Sequence, residues 1–350
     1  MYNYFNYKES LMKSLLLSAL VATAVMGASL ADEVKTAGLK PIPSNAKALE
    51  KLTSNPKNPT TAAKIELGKM LYFEPRLSKS GLISCNTCHN LAIGGVDGMS
   101  AAIGHKWTAN PHHLSSPTVY NAVFYSQQFW DGRSPHLEDQ AQGPMQAGPE
   151  MAAPKDHVAG VVTSMPQYIS MFQKAYGKDV KITFEKIADT IAVYERTLVT
   201  PSRYDAFLTG NKKALTAPEQ KGLKTFIDKG CATCHNDIAL GGTMNAFNVT
   251  AQYKHMNVGD FKGDANGMVR VPTLRNITET APYFHNGQIA TLSEAIKEMG
   301  RIQLGVDLNN NETAEIETFL KSLEGKKPTV IYPMLPASTA KTPKVDVVNN

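Results

Sequence analysis

Cys85-Asn86-Thr87-Cys88-His89 and Cys231-Ala232-Thr233-Cys234-His235 are two copies of one motif, Cys-x-x-Cys-His, and they use all four cysteines of this 350-residue chain. The spacing lets two thiols form thioethers with the vinyl groups of one haem while the adjacent histidine ligates its iron. A redox pair does not need a trailing histidine in both copies, and a four-cysteine zinc site has no use for one. No cysteine is left for a structural bridge, so a disulfide framework is excluded. The motifs therefore predict two covalently bound c-type haems. Cys85 and Cys88 would attach the first and Cys231 and Cys234 the second, with His89 and His235 as iron ligands.

The two segments are alike beyond the motif. Both read Cys-x-Thr-Cys-His-Asn, and both continue into an apolar-Gly-Gly step, Ile93-Gly94-Gly95 and Leu240-Gly241-Gly242. Each follows a stretch of helical pattern, at 62–73 and 218–228, the second opened by a Thr216–Glu219 capping box with Pro218 early in the helix. Ile187, Ile191, Tyr194 and Leu198 recur at helical spacing, as do Ile316, Phe319, Leu320 and Leu323, and sustained period-2 alternation is absent. The expected fold is mainly α: two tandem cytochrome-c-like domains, each with one covalently bound haem, long irregular loops and little β-structure. Their expected extents are 32–200 and 201–325, meeting in the basic, proline-bearing stretch 200–217. A tail at 326–350, rich in Pro, Lys and Thr, either packs back on the first domain or frays. The irregular tract 93–154 is of the kind that carries function.

At the N-terminus, Lys13 precedes an uncharged run, and small residues surround Ser29, Leu30 and Ala31. This pattern predicts a secretory signal over 1–31, cleaved before Asp32, with Met1 or Met12 as the start. No later segment is apolar for long enough to span a bilayer. The expected mature protein is exported and soluble. With 36 Lys+Arg against 31 Asp+Glu, the formal charge of +5 is too small and dispersed to argue for nucleic acid.

The sixth iron position decides the chemistry, because two strong protein ligands favour electron transfer and an open side admits a small molecule. For the second haem, Met299 follows a Thr291–Glu294 capping box on an apolar helical stripe, where it also reads as a core filler; Met244, Met256 and Met268 compete with it. For the first, His105, His112, His113 and His136 are candidates.

The stretches SCNTCHN, GG-x-DG, IGHKW, SPT-x-x-NA, FWDGR, DQAQGPMQAGPEM, PTLRNITETAPYFHNG and EMGRIQLG resemble the bacterial dihaem cytochrome c peroxidases along nearly the whole mature chain. The related methylamine-dehydrogenase-maturing enzymes share much of the pattern but place a Tyr where this chain has Met299. The resemblance implies that the first haem is peroxidatic and the second, with Met299 as axial ligand, is of high potential and takes in electrons. It assigns His105 to the sixth position of the first haem in the resting oxidised form. Glu150 becomes the distal acid/base, Gln140 its polar neighbour, and Trp130 the aromatic between the haems. It also implies an interdomain calcium ion on the carbonyls of Thr280 and Pro282, with Ser115 where the family has an Asn. Ser115 offers a shorter neutral oxygen than that Asn, so this ligand is the doubtful one.

Hydrogen peroxide must lose a proton from one oxygen and gain one on the oxygen that leaves as water, which a single carboxylate can shuttle. Reduction to two waters takes two electrons, whereas the expected donor, a small c-type cytochrome or copper protein, carries one. A His105 that leaves only after the second haem is reduced would keep peroxide away until both electrons are at hand. The resemblance further suggests a homodimer. The alternatives are a dihaem electron carrier without catalysis and a maturation-type oxidant acting on a protein.

Overall fold

Thr61 and Thr216 start helices in the same way, each accepting the backbone N–H three residues on; at Thr216 the Glu219 carboxylate returns the bond to the Thr216 N–H at 2.8 Å. In the computed structural model, which describes residues 29–347, these become α1 (Ala62–Tyr72) and, later in the chain, α5 (Ala217–Asp228). Between them lie α2 (Lys155–Thr163), α3 (Pro166–Tyr176) and α4 (Phe184–Glu195); after them come α6 (Leu292–Met299) and α7 (Asn310–Lys321). The first 28 residues of the expected signal lie outside the described residues. A short helix, Leu30–Thr36, begins at Ser29.

Each half is built on one close helix crossing, and a glycine permits it. A Cβ on Gly68 of α1 would lie 2.3 Å from the Thr190 carbonyl of α4, and one on Gly222 of α5 would lie 2.0 Å from the Glu315 carbonyl of α7. Around the first crossing, Leu67, Leu71, Phe172 and Ile187 are fully buried; around the second, Leu223, Phe226, Phe319 and Leu320 are. Burial of each such side chain is worth about 1.5–3 kcal/mol. The strands are a minor addition: β1 (Met244–Ala246) pairs antiparallel with β2 (Met268–Arg270), Asn245 opposite Val269.

The ends of the chain cross over. Val34 and Leu39 sit in the second core, whereas Val330 and Leu335 pack against the first. The 200–217 stretch is not a loose connector. It contains the helix Arg203–Leu208, whose buried Asp205 takes two bonds from Arg275, at 3.0 and 2.7 Å, and one from the Ile42 N–H at 2.7 Å.

Thr200 joins the halves. The sequence Pro-Thr-x-x-Asn occurs at 117–121 and again at 272–276, and both asparagines, Asn121 and Asn276, adopt the left-handed conformation. Their amides donate to the same Thr200 hydroxyl, at 2.7 and 2.8 Å, and all three residues are fully buried. Thr200→Val leaves two buried amide groups short of a partner. It is expected to lower the unfolding free energy by about 3 kcal/mol, read from denaturant unfolding of the purified protein.

Candidate functional site

Among the described residues a cavity lies in front of each Cys-x-x-Cys-His motif. The first is lined by Cys85, Cys88 and His89 together with Trp130, Gln140 and Glu150. The second is lined by Cys231, Cys234, His235 and Met299, with Trp130 again on its wall.

The two histidines are held alike. His89 Nδ1 donates to the Pro117 carbonyl at 2.8 Å, and His235 Nδ1 donates to the Leu240 carbonyl at 3.2 Å. A carbonyl can only accept, so Nδ1 carries the proton and Nε2 keeps its lone pair for a metal. Burial pushes both imidazoles toward the neutral form, His235 down to about 4. Burial also keeps the thiols protonated, raising Cys88 to about 12 and Cys231 to about 11. A neutral imidazole and two neutral thiols facing each cavity fit an iron porphyrin attached through its vinyl groups.

Of the four methionines considered, Met299 alone lines the second cavity; it closes α6, where Thr291 caps the first turn. Met244 and Met268 lie in the strands, and Met256 packs under Tyr253 and Tyr283. None of His105, His112, His113 and His136 lines the first cavity. His112 pairs with Asp260 at 2.9 Å, His113 meets Gln288 at 3.1 Å, and His136 caps the helix Leu137–Gln140. His105 sits beside the cavity rather than in it, its Nδ1 buried without a hydrogen-bond partner. Its loop rests on the Glu150 loop: a Cβ on Gly104 would fall 1.9 Å from the Pro149 carbonyl and 2.8 Å from Glu150 Cα.

Glu150 is largely withdrawn from water, and this burial raises its carboxyl above the ordinary Glu value, with Arg133 opposing the shift. Gln140 lines the same cavity on the end of the helix Leu137–Gln140. The Trp130 indole N–H donates to the Ser115 carbonyl at 3.0 Å, so this carbonyl is taken, whereas Ser115 Oγ donates to the Met99 carbonyl at 3.2 Å. The Ser115 N–H binds the His285 carbonyl at 2.8 Å, which places Ser115 beside the segment that carries Thr280 and Pro282. Among the described residues no cluster of three His, Cys, Asp or Glu side chains is arranged for a metal.

Three residues of these cavities belong to none of the expected roles. Arg270, buried on β2, lines both cavities and has no carboxylate partner among the described residues. It donates to the Phe129 carbonyl at 2.9 Å and lies over the rings of Tyr125 and Trp130, at 4.4 and 5.8 Å. A buried cation without an anion invites one from a ligand. Glu195 closes α4 with one carboxyl oxygen unpaired in the first cavity, and burial pushes it up to about 8. His285 lines the second cavity edge-on to Trp130, ring centres 6.4 Å apart. An arginine inside the apolar run Met268–Val271 is the one sequence signal among the three.

Comparison with known proteins decides the family. A model of the family described as di-haem cytochrome c peroxidase matches residues 62–213. The chain is 45% identical to the cytochrome c551 peroxidase of Nitrosomonas europaea over 294 residues, 82% of this chain and 87% of that one. It is 42% identical to the cytochrome c551 peroxidase of Pseudomonas aeruginosa over 345 residues, 95% and 96% of the two chains. The chain belongs to the di-haem cytochrome c peroxidase family. It is accordingly an enzyme, an oxidoreductase with hydrogen peroxide as acceptor, and a two-haem protein. The fold agrees: the crystal structure of a MauG-like protein associated with microbial copper homeostasis superposes with a TM-score of 0.66 at 25% identity, covering 78% of this chain and 93% of that one.

Proposed function

We propose that hydrogen peroxide is reduced to two waters in the first cavity, with electrons that enter singly through the second from a small c-type cytochrome or copper protein. The observation that carries this reading is that Glu150 and Gln140 line the same cavity as Cys85, Cys88 and His89. Each haem, bound through thioethers to its two cysteines and through His89 or His235, supplies an iron that binds peroxide or stores an electron.

Glu150 takes the proton from the peroxide oxygen nearest the metal and returns it to the oxygen that departs as water. Its buried setting brings the carboxyl closer to the operating pH, where it can both accept and release. The Gln140 amide holds the second oxygen without titrating. The Met299 thioether ligates the second metal and raises its potential, and Trp130, common to both cavities, lies on the path between them. Arg270 takes the porphyrin carboxylates. Calcium binds on Ser115 Oγ and the carbonyls of Thr280 and Pro282, neutral oxygens suited to a hard cation; no backbone N–H among the described residues donates to either carbonyl. Residues 1–31 direct export to the periplasm, and the mature protein works as a homodimer.

His105 closes the first metal in the resting oxidised protein and leaves when the second is reduced. That His105 does not line the first cavity supports a position for it away from the metal. His105→Gly is therefore expected to turn over peroxide from the fully oxidised protein at close to the rate that the wild type reaches only after reduction of the second haem, measured from the first seconds after mixing. The reading as a whole is tested by peroxide-dependent oxidation of a reduced small c-type cytochrome. Saturable turnover supports it, and its absence would leave a dihaem electron carrier.

A further inference from the structure

The C-terminal tail runs back along the first half. Thr339 Oγ1 donates to the Ser164 carbonyl at 2.9 Å, the Thr342 and Ser164 hydroxyls meet at 2.9 Å, and Pro343 lies 3.2 Å from where a Cβ on Gly160 would stand. Three residues on, the Asp346 N–H donates to the Lys79 carbonyl at 2.8 Å, and Val345 covers Gly81 so closely that a Cβ there would meet it at 2.6 Å. The Asp346 carboxylate then pairs with Lys106 at 3.1 Å and more loosely with Lys79 at 3.8 Å. Lys106 is the residue after His105, and its side chain is only 18% exposed.

The loop that the tail touches is under tension. Lys106 and Trp107 are consecutive non-glycine residues in the left-handed region, at φ 56° and 59°. Such residues are costly and persist only where their surroundings hold them. Among the contacts that hold it are Gly104 N–H to the Thr108 carbonyl at 2.9 Å, Trp107 N–H to the Gly104 carbonyl at 2.9 Å, Thr108 N–H to the His105 carbonyl at 3.2 Å, the seat of Gly104 on Pro149 and Glu150, and the Lys106–Asp346 pair. The Lys79 N–H also binds the Met151 carbonyl at 2.9 Å, so tail, His105 loop and Glu150 loop meet in one cluster.

We propose that the tail is a strap on the His105 loop: Asp346, seated on Lys79, pairs with Lys106 and favours the position of His105 outside the first cavity. A contact made in one of two loop positions shifts the balance toward that position. Asp346 is thus a positioning residue for peroxide access, acting through Lys106. This rests on the reading of His105 as a displaceable ligand.

The test uses the full-length dihaem protein with the second haem reduced, and reads the ratio of low-spin, histidine-ligated to high-spin, open first haem by electron paramagnetic resonance and optical spectra. Asp346→Asn and Lys106→Met are each expected to raise that ratio about threefold, as fits one partly screened ion pair, and Asp346→Glu to restore it. Raising the salt concentration should move the wild type in the same direction and leave Asp346→Asn where it is. His105→Ala separates the two ideas. If it abolishes the low-spin form while Asp346→Asn leaves the ratio unchanged, the strap is wrong and the displaceable ligand stands. If the low-spin form survives His105→Ala, both fall together.

Discussion

Glu150→Gln is expected to lower kcat/KM for peroxide by about 10²–10⁴-fold, the usual weight of a positioned acid/base group. The substitution keeps the shape of the side chain and removes its proton traffic. It should therefore leave both haem spectra and the cytochrome-binding step unchanged, and the loss should appear in the reaction with peroxide alone. The pH profile carries a second signature. Glu150 must be ionised to take the first proton, so activity falls as the pH drops through its pKa. Burial raises that pKa, with only Arg133 opposing, so the acidic limb of kcat/KM lies above the ordinary Glu range. In Glu150→Gln the limb disappears from what activity is left. A variant that kept wild-type peroxide kinetics would remove Glu150 from the reaction.

Met299→His is expected to stop turnover with a small cytochrome or copper-protein donor, for a different reason. Exchanging a thioether for a second imidazole lowers the reduction potential of the metal that it ligates. A donor matched to the wild type then cannot fill the site. At about 59 mV per tenfold change for a one-electron couple, a fall of some 120 mV already cuts the reduced-to-oxidised ratio about 100-fold. A strong chemical reductant, which does not depend on that match, should restore the reaction with peroxide. Met299 is the one candidate methionine on the wall of the second cavity, so Met244→Leu, Met256→Leu and Met268→Leu should leave the potential in place. Unchanged potential in Met299→His would move the ligand elsewhere.

The Cys-x-x-Cys-His motifs that line the two cavities were legible because their spacing is short and local in sequence. The helices at 62–72 and 217–228 were legible through their threonine caps and apolar period. What holds the halves together was not. Thr200 is an ordinary polar residue until Asn121 and Asn276 converge on it from 79 and 76 residues away. Gly68 and Gly222 look like weak points in helices; only the crossing partners, Thr190 and Glu315, show why no side chain fits. Arg270 and Glu195 became noticeable once their surroundings did, since a buried ionisable group without an ionic partner is a property of a site and not of a pattern. The basic, proline-bearing stretch 200–217 read as the boundary between the two domains because of its composition. Its anchoring pair, Asp205 with Arg275, spans 70 residues of chain. The tail posed the same difficulty, because nothing in a run of Pro, Lys and Thr points to Lys106.

The central claim is that the two cavities divide the work, the first meeting peroxide and the second banking the electron that opens it. It is tested most directly by adding peroxide and a reduced small c-type cytochrome as electron donor, with calcium present, to the purified dihaem protein in two states, fully oxidised and with the second haem reduced. The account predicts turnover at once from the reduced state and only after a lag, while the second haem is filled, from the oxidised one. No turnover in either state, with both irons six-coordinate throughout, would contradict it.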